Sequence, residues 1–336
     1  MEKSTLNEIS KLPQGIYEID ELIDDDGISD EQIPIKLKLT ITKDEFICDF
    51  RGSSKQVQGP INSSYTGLVS AVRTIFLAIT NPSQEVNDGA FRPLKIITDK
   101  GSIISAQRPA PVSMYWESML YGSETIWKAL APVIPDRLTA GHLLSVCVVI
   151  MGGKHPDKDG NFLIVEPSVG GWGASNSFDG DTGQFCVSDG ETFNVPVEIA
   201  ENTYGVQVEE YSMRTDGRGA GEYRGGPGVI RTYKALTDGQ FFTGSFGHHK
   251  QNTWGADGGH EGSNNEFLIE KSNGELDGPF GKYNQYPLNK GDKVILRTAT
   301  GGGFGDPHKR AKKLIEKDIK NEYITLQQAK EIYNYK

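Results

Sequence analysis

The 336-residue chain is short of cysteine, of positive charge and of long apolar runs, and each shortage removes a class of protein. Its three cysteines, Cys48, Cys147 and Cys186, are odd in number and widely spaced, which argues against a disulfide framework. Cys48 and Cys147 fall within strand-like segments, where a thiol behaves as a small hydrophobe, so a reducing, cytoplasmic setting is expected. The longest apolar run, residues 143–151, is far below the roughly 20 residues that a membrane span needs. Met1-Glu-Lys-Ser-Thr5 has no apolar signal core, so neither secretion nor membrane insertion is expected. With a net charge of −10, and with lysines and arginines scattered outside residues 308–313, there is no electrostatic footprint for nucleic acid. A phosphate loop is also missing: G-x-x-x-x-G-K-[ST] occurs nowhere, and residues 301–306 break G-x-G-x-x-G at Asp306. ATP is therefore expected on another chain and no cofactor on this one. There is no G-x-S-x-G nucleophile elbow either.

What is abundant is glycine, 40 residues beside 16 prolines, a composition of many turns between short strands. The expected class is α+β: a β-rich mixed architecture with several antiparallel hairpins, a few covering helices and a C-terminal helical tail. Residues 35–42 alternate apolar and polar, and Phe46, Cys48 and Phe50 resume the alternation, which is a hairpin with one buried face. Leu68, Val69, Val72, Ile75, Phe76 and Ile79 recur at helical spacing and supply its cover, and a second amphipathic helix is expected over 116–131. Residues 50–62 between them read as a surface loop that presents side chains, Asn62 among them. Further strands are expected at 144–150, 162–165, 206–213, 229–235, 241–246, 266–270 and 293–298, with a type I′ hairpin at Asn273-Gly274. Asp306-Pro307 and the capping box Thr325-Leu-Gln-Gln328 open the tail helices. The expected organisation is an N-terminal lobe at 1–140, a strand-rich glycine-loop lobe at 141–305 and a helical tail at 306–336.

Two glycine runs stand out: Asp216-Gly-Arg-Gly-Ala-Gly-Glu-Tyr-Arg-Gly-Gly-Pro-Gly228 and Thr300-Gly-Gly-Gly-Phe-Gly-Asp-Pro307. Ordered glycine costs about 0.5–1 kcal/mol of backbone entropy, so such density implies positive-φ turns or backbone pressed against another surface. Tyr223, Arg224 and Pro227 are residues that a flexible linker lacks. Replacing Gly225 and Gly226 by alanine is expected to destabilise through left-handed strain, and Arg224→Ala to spare the fold but weaken assembly or turnover.

The acids beside rigid turns, Asp179, Glu198, Glu201 and Asp216, are open to two readings, as functional carboxylates or as turn caps. The candidate catalytic residues are Asp216, Arg224, Glu198 and His249. Candidates for substrate or partner binding are Asn62, Asp179, Tyr223, Gly301, Gly302 and Gly303. His248, His249, Asp257 and His260 are the nearest approach to a metal cluster. However, adjacent histidines on a strand point to opposite faces, so no metal site is expected.

The order and spacing of several segments resemble the C-terminal half of the hydantoinase B family. They are Leu12-Pro-Gln-Gly-Ile-Tyr17, residues 49–62, Asn87-Asp-Gly-Ala-Phe-Arg-Pro93, Pro109-Ala-Pro-Val112, residues 196–201, the two glycine runs, Trp254-Gly255 with Gly258-Gly259, and residues 318–333. The chain departs from the family pattern at Gly205 and at Gly217-Arg218. The resemblance implies a subunit or fragment of an ATP-dependent cyclic-amide hydrolase complex of N-methylhydantoinase or oxoprolinase type, inactive alone. It would act on a small-molecule substrate with an A-type ATPase subunit and a separate N-terminal B piece, which hold the ATP and the divalent metal, and an oligomer is expected. An acetone- or acetophenone-type carboxylase subunit and a non-catalytic scaffold are the alternatives.

Overall fold

The alternation at 35–50 sets the first sheet. In the computed structural model, which describes residues 1–82, 85–190, 192–217 and 219–336, the chain divides into two compact units, Met1–Leu138 and Thr139–Lys336. Arg218 of the glycine loop lies outside the described residues. The architecture is α+β.

In the first unit, helix α1 (Glu2–Lys11) precedes strands β1 (Gly15–Ile23), β2 (Ile33–Ile41) and β3 (Phe46–Asp49), which pair antiparallel in that order. Strand β4 (Leu94–Ile97) joins parallel to β3. Strand β2 buries Ile33, Ile35, Leu37, Leu39 and Ile41 and turns Lys36 and Lys38 outward, as a period of two requires. The cover is helix α2 (Tyr65–Thr80), whose first turn is capped by Ser64 Oγ accepting from the Gly67 N–H at 3.2 Å. Phe76 on α2 meets Phe46 edge-on with ring centres 5.2 Å apart. Helix α3 (Trp116–Leu130) lies close against α2: a Cβ at Gly122 would come within 2.7 Å of Leu68, and Ser123 Oγ donates to the Ala71 carbonyl at 2.8 Å.

In the second unit the strands in chain order are β5 (Val148–Lys154), β6 (Asn161–Glu166), β7 (Gly170–Gly171), β8 (Thr182–Gln184), β9 (Val206–Arg214), β10 (Gly228–Ala235), β11 (Gln240–Ser245), β12 (Glu266–Glu270), β13 (Leu276–Phe280), β14 (Lys282–Leu288) and β15 (Lys293–Arg297). They form a five-stranded sheet, β13-β12-β15-β10-β9, a four-stranded sheet, β14-β11-β5-β6, and the short β7-β8 ladder. Helix α4 (Val197–Thr203) leads into β9, and helices α5 (Lys312–Lys320) and α6 (Leu326–Tyr333) close the chain. Asp306 caps a 3-10 turn at Pro307–Lys309, and Thr325 and Gln328 form the expected capping box on α6.

Three local expectations are corrected. Cys147 is not in a strand, because Leu144 and Cys147 both take positive φ (45° and 48°) and β5 starts at Val148, so residues 143–147 form a buried apolar loop. His248 also has positive φ (58°) and follows β11 in a loop, so the opposite-faces argument does not apply to His248-His249. At Asn273-Gly274 only Gly274 is left-handed (φ 86°), whereas a type I′ turn needs positive φ at both central residues. The Gly274 N–H donates to the Lys271 carbonyl and the Lys271 N–H to the Glu275 carbonyl, which closes a longer loop.

Candidate functional site

The two glycine runs meet at the centre of the second unit. Residues 300–305 run between segments 139–143, 171–181, 219–228 and 253–262, and successive N–H groups turn to different neighbours. Gly301 donates to the Gly226 carbonyl, Gly302 to Gly141, Gly303 to His260 and Phe304 back to Tyr223, each at 2.9 Å. Gly301 and Phe304, three apart, return to the same segment, whereas Gly302 and Gly305 donate to Gly141 and Ala256 in different ones. Close approach on all sides leaves no room for Cβ. An added Cβ would lie 1.9 Å from the Trp172 carbonyl oxygen at Gly301, 1.9 Å from that of Trp254 at Gly302 and 2.2 Å from that of Ala220 at Gly303. None of the three has positive φ. Of the two expected causes of glycine density, pressed backbone acts at these three, while Gly217 and Gly305 of the same runs take positive φ (64° and 74°). Gly225 and Gly226 are pressed likewise, with carbonyl oxygens of Gly301 and Asp181 at 1.9 Å from their added Cβ atoms.

The sequence-selected residues fall in separate places. Gly301, Gly302 and Gly303 belong to the thread, with their N–H and C=O groups spent on neighbouring backbone. Tyr223 pairs through its backbone with Phe304 and packs against Ala140, Ala174 and Ala256. Asn62, in the first unit, is fully buried: its Oδ1 accepts from the Val57 N–H at 2.8 Å, and its Nδ2 donates to the Val57, Gly59 and Pro111 carbonyls. It holds its loop from within, so the loop does not present this side chain outward. Asp216 is exposed and accepts from Arg214 and Arg297 at 3.2 and 2.5 Å. Glu198 is exposed in the first turn of α4, and Glu201 accepts from the Val208 N–H at 2.9 Å. The His249 ring lies over Gly281, where an added Cβ would come within 2.0 Å, and its carbonyl accepts from Asn264.

Arg224 and Asp179 come together in a buried clamp that joins the glycine loop to the tail. Arg224 donates through Nε to Asp318 at 3.0 Å and stacks over Tyr323 at 4.5 Å, while its N–H donates to Asp179 at 2.8 Å. Arg310 grips Asp179 through both terminal nitrogens, at 2.7 and 2.9 Å, and Asp318 through Nε and Nη2, at 3.1 and 2.7 Å. Burial pushes the Asp179 carboxyl up, but hydrogen bonding and charge from Arg310 outweigh it and hold the group below the usual carboxylate range. Burial disfavours the charged Arg310, yet Asp179 and Asp318 keep its affinity for a proton raised. Two arginines and two aspartates satisfying one another make a holding device.

Two groups with chemical potential were missed, because neither forms a local motif. In the first unit Glu21, Asp24, Glu117 and Glu124 are buried, and their charges bear on the phenol of buried Tyr121. Burial first, then these carboxylates, raises that phenol well above its ordinary range, so it stays protonated. Glu21 is also paired with Lys128. Among the described residues, no three His, Cys, Asp or Glu side chains are placed to hold a metal.

The second group is an open cleft of about 700 Å³ in the second unit, lined by residues 183–190 and 192–194 with Val169, Trp172, Tyr211 and Val229. Trp172 Nε1 donates to the Phe185 carbonyl at 2.8 Å and the Tyr211 hydroxyl to Asn194 at 3.0 Å, so neither ring brings a free donor to the cleft. Beneath Tyr211 lies a buried pair, Arg231 and Glu166 at 3.2 Å, with Tyr233 donating to the same carboxylate. Beside the cleft His142 is fully buried, accepts from the Val187 N–H at 3.1 Å and packs on Trp172. Burial, with a smaller contribution from His248, lowers its pKa to about 3.

A model of the hydantoinase B/oxoprolinase family matches residues 1–307. An uncharacterized protein of Methanocaldococcus jannaschii is 33% identical over 308 residues, 91% of this chain and 53% of its own length. The caprolactamase subunit beta of Pseudomonas jessenii is 27% identical over 334 residues, 95% of this chain and 56% of its own. The crystal structure of ATP-dependent caprolactamase from that organism superposes with a TM-score of 0.87 at 22% identity, over 99% of this chain and 58% of the other. Nucleotide-free acetone carboxylase superposes at 0.84 with 18% identity, over 99% and 51%. The chain thus spans about half the length of the curated relatives it matches.

Proposed function

The chain belongs to the hydantoinase B/oxoprolinase family, and from that premise we propose that it is a B-type component of an ATP-dependent cyclic-amide hydrolase. It works with an A-type ATPase subunit and a separate N-terminal B piece, which supply the ATP site and a divalent metal. The observation that carries the reading is the sequence match along nearly the whole chain to a relative named as a caprolactamase subunit. The likeness to acetone carboxylase is one of fold alone, so hydrolysis is preferred to carboxylation. Opening a cyclic amide requires a proton to leave the attacking water and another to reach the departing nitrogen, work suited to carboxyl groups. Within this chain we assign that role to the buried carboxylates around Tyr121, Glu117 and Glu124 above all.

The test is reconstitution with an A-type ATPase and an N-terminal B piece, assayed on hydantoin, 5-oxoproline and caprolactam. ATP-dependent ring opening that requires all three components is expected. Bicarbonate-dependent carboxylation without hydrolysis, or turnover undiminished when this chain is omitted, would sink the proposal. In the active complex Glu117→Gln or Glu124→Gln is expected to lower kcat by about 100-fold or more. An unchanged kcat in both would move the chemistry elsewhere.

A further inference from the structure

The cleft in the second unit has a composition that the proposed hydrolysis does not use. Four aromatic rings line it, Trp172, Phe185, Phe193 and Tyr211, and among its described lining residues Asp189 is the one charged side chain. Asp189 is half-buried and accepts from the Thr192 hydroxyl at 3.0 Å; no basic side chain is paired with it among the described residues. Phe193 stands at the cleft 87% exposed, a large apolar surface held in water. The N–H of Trp172 and the O–H of Tyr211 are directed to protein acceptors, so these rings bring no spare donor to the cleft, and His142 packs on Trp172. Arg231, beneath Tyr211, is neutralised by Glu166 at 3.2 Å and stacks on that ring.

Electron-rich ring faces beside one unmatched carboxylate favour a weakly hydrated cation, because a quaternary or alkyl ammonium interacts with both and loses little hydration on entry. An anion would meet Asp189, and a neutral apolar body would leave that charge without use. We propose that the cleft is a binding site for a small organic ammonium ion.

Calorimetric titration of the full chain with benzyltrimethylammonium, against benzyl alcohol and benzoate at constant ionic strength, tests this. The expected result is saturable one-to-one binding of the cation, about tenfold tighter than the alcohol, and no binding of benzoate. Asp189→Asn should weaken the cation several-fold and leave the alcohol unchanged. Phe193→Ala, at an exposed position that the fold does not need, should weaken both. No saturable cation binding, equal affinity for cation and alcohol, or an Asp189→Asn variant that binds the cation as well as the parent would each overturn the assignment.

Discussion

Arg310 touches two carboxylates that lie far apart in the chain, and its removal should show how the clamp is held. Arg310→Ala leaves Asp318, 2% exposed, and Asp179 without their shared cation. Breaking a buried ion pair from one side costs about 3–5 kcal/mol, so the variant should lose that much in urea unfolding. The Asp179 carboxyl sits below its ordinary range when folded, so its contribution is complete at neutral pH and lost as pH falls through the carboxylate range. Arg310→Ala should flatten that acid limb, whereas an unchanged limb would mean that the clamp contributes no pH dependence. His142 has a lowered pKa for a different reason. Kept neutral by burial down to about pH 3 when folded, and titrating near 6.5 when unfolded, it draws stability down as pH falls from about 6.5 and has no such effect above. His142→Gln should therefore lose less stability between pH 7 and 5 than the parent. At this scale the sequence picked out Arg224, Asp179 and Asn62 as unusual but not what they do. Burial and partners such as Asp318 and Pro111 are set by tertiary contacts that no spacing encodes.

Among elements, the glycine runs were legible as ordered, although the mechanism was half right. Pressed backbone, and not left-handed strain, is what excludes a side chain at Gly225 and Gly226. Gly225→Ala or Gly226→Ala is expected to cost at least the roughly 1–3 kcal/mol of an overpacked core. Gly190→Ala, with no atom within 4 Å of its added Cβ, should be neutral or slightly stabilising. Equal melting temperatures for all three variants would refute the crowded thread. Periodicity found the β2-β3 hairpin and α2 because each has one buried face, whereas α3, β10 and β11, located by their apolar residues, are buried nearly all round. It failed at residues 143–147, where apolar composition is satisfied by a buried loop with two positive-φ residues. It also passed over β1, whose exposed Ile16 and Leu22 blur the alternation.

At the scale of the whole molecule, the class and the resemblance were readable because turn residues and apolar faces recur in step along the chain. The carboxylates around Tyr121 and the aromatic cleft were not, since their members lie on separate elements brought together by folding. The tail is part of the second unit's core, where Ile315, Ile324, Ala329 and Tyr333 pack with Ala220. A chain ending at Gly305 should therefore bind a dye for exposed apolar surface and lose cooperative unfolding; a sharp, dye-free transition would show the tail to be an accessory. The central thread carries a further consequence, for the order in which the protein is made. Gly141, Ala174 and Gly226 leave the ribosome before the residues 300–305 that they hydrogen-bond. At roughly 5–20 residues per second the oldest of these partners waits on the order of ten seconds. Throughout that interval these backbone groups lack the partners that hold them in the folded unit.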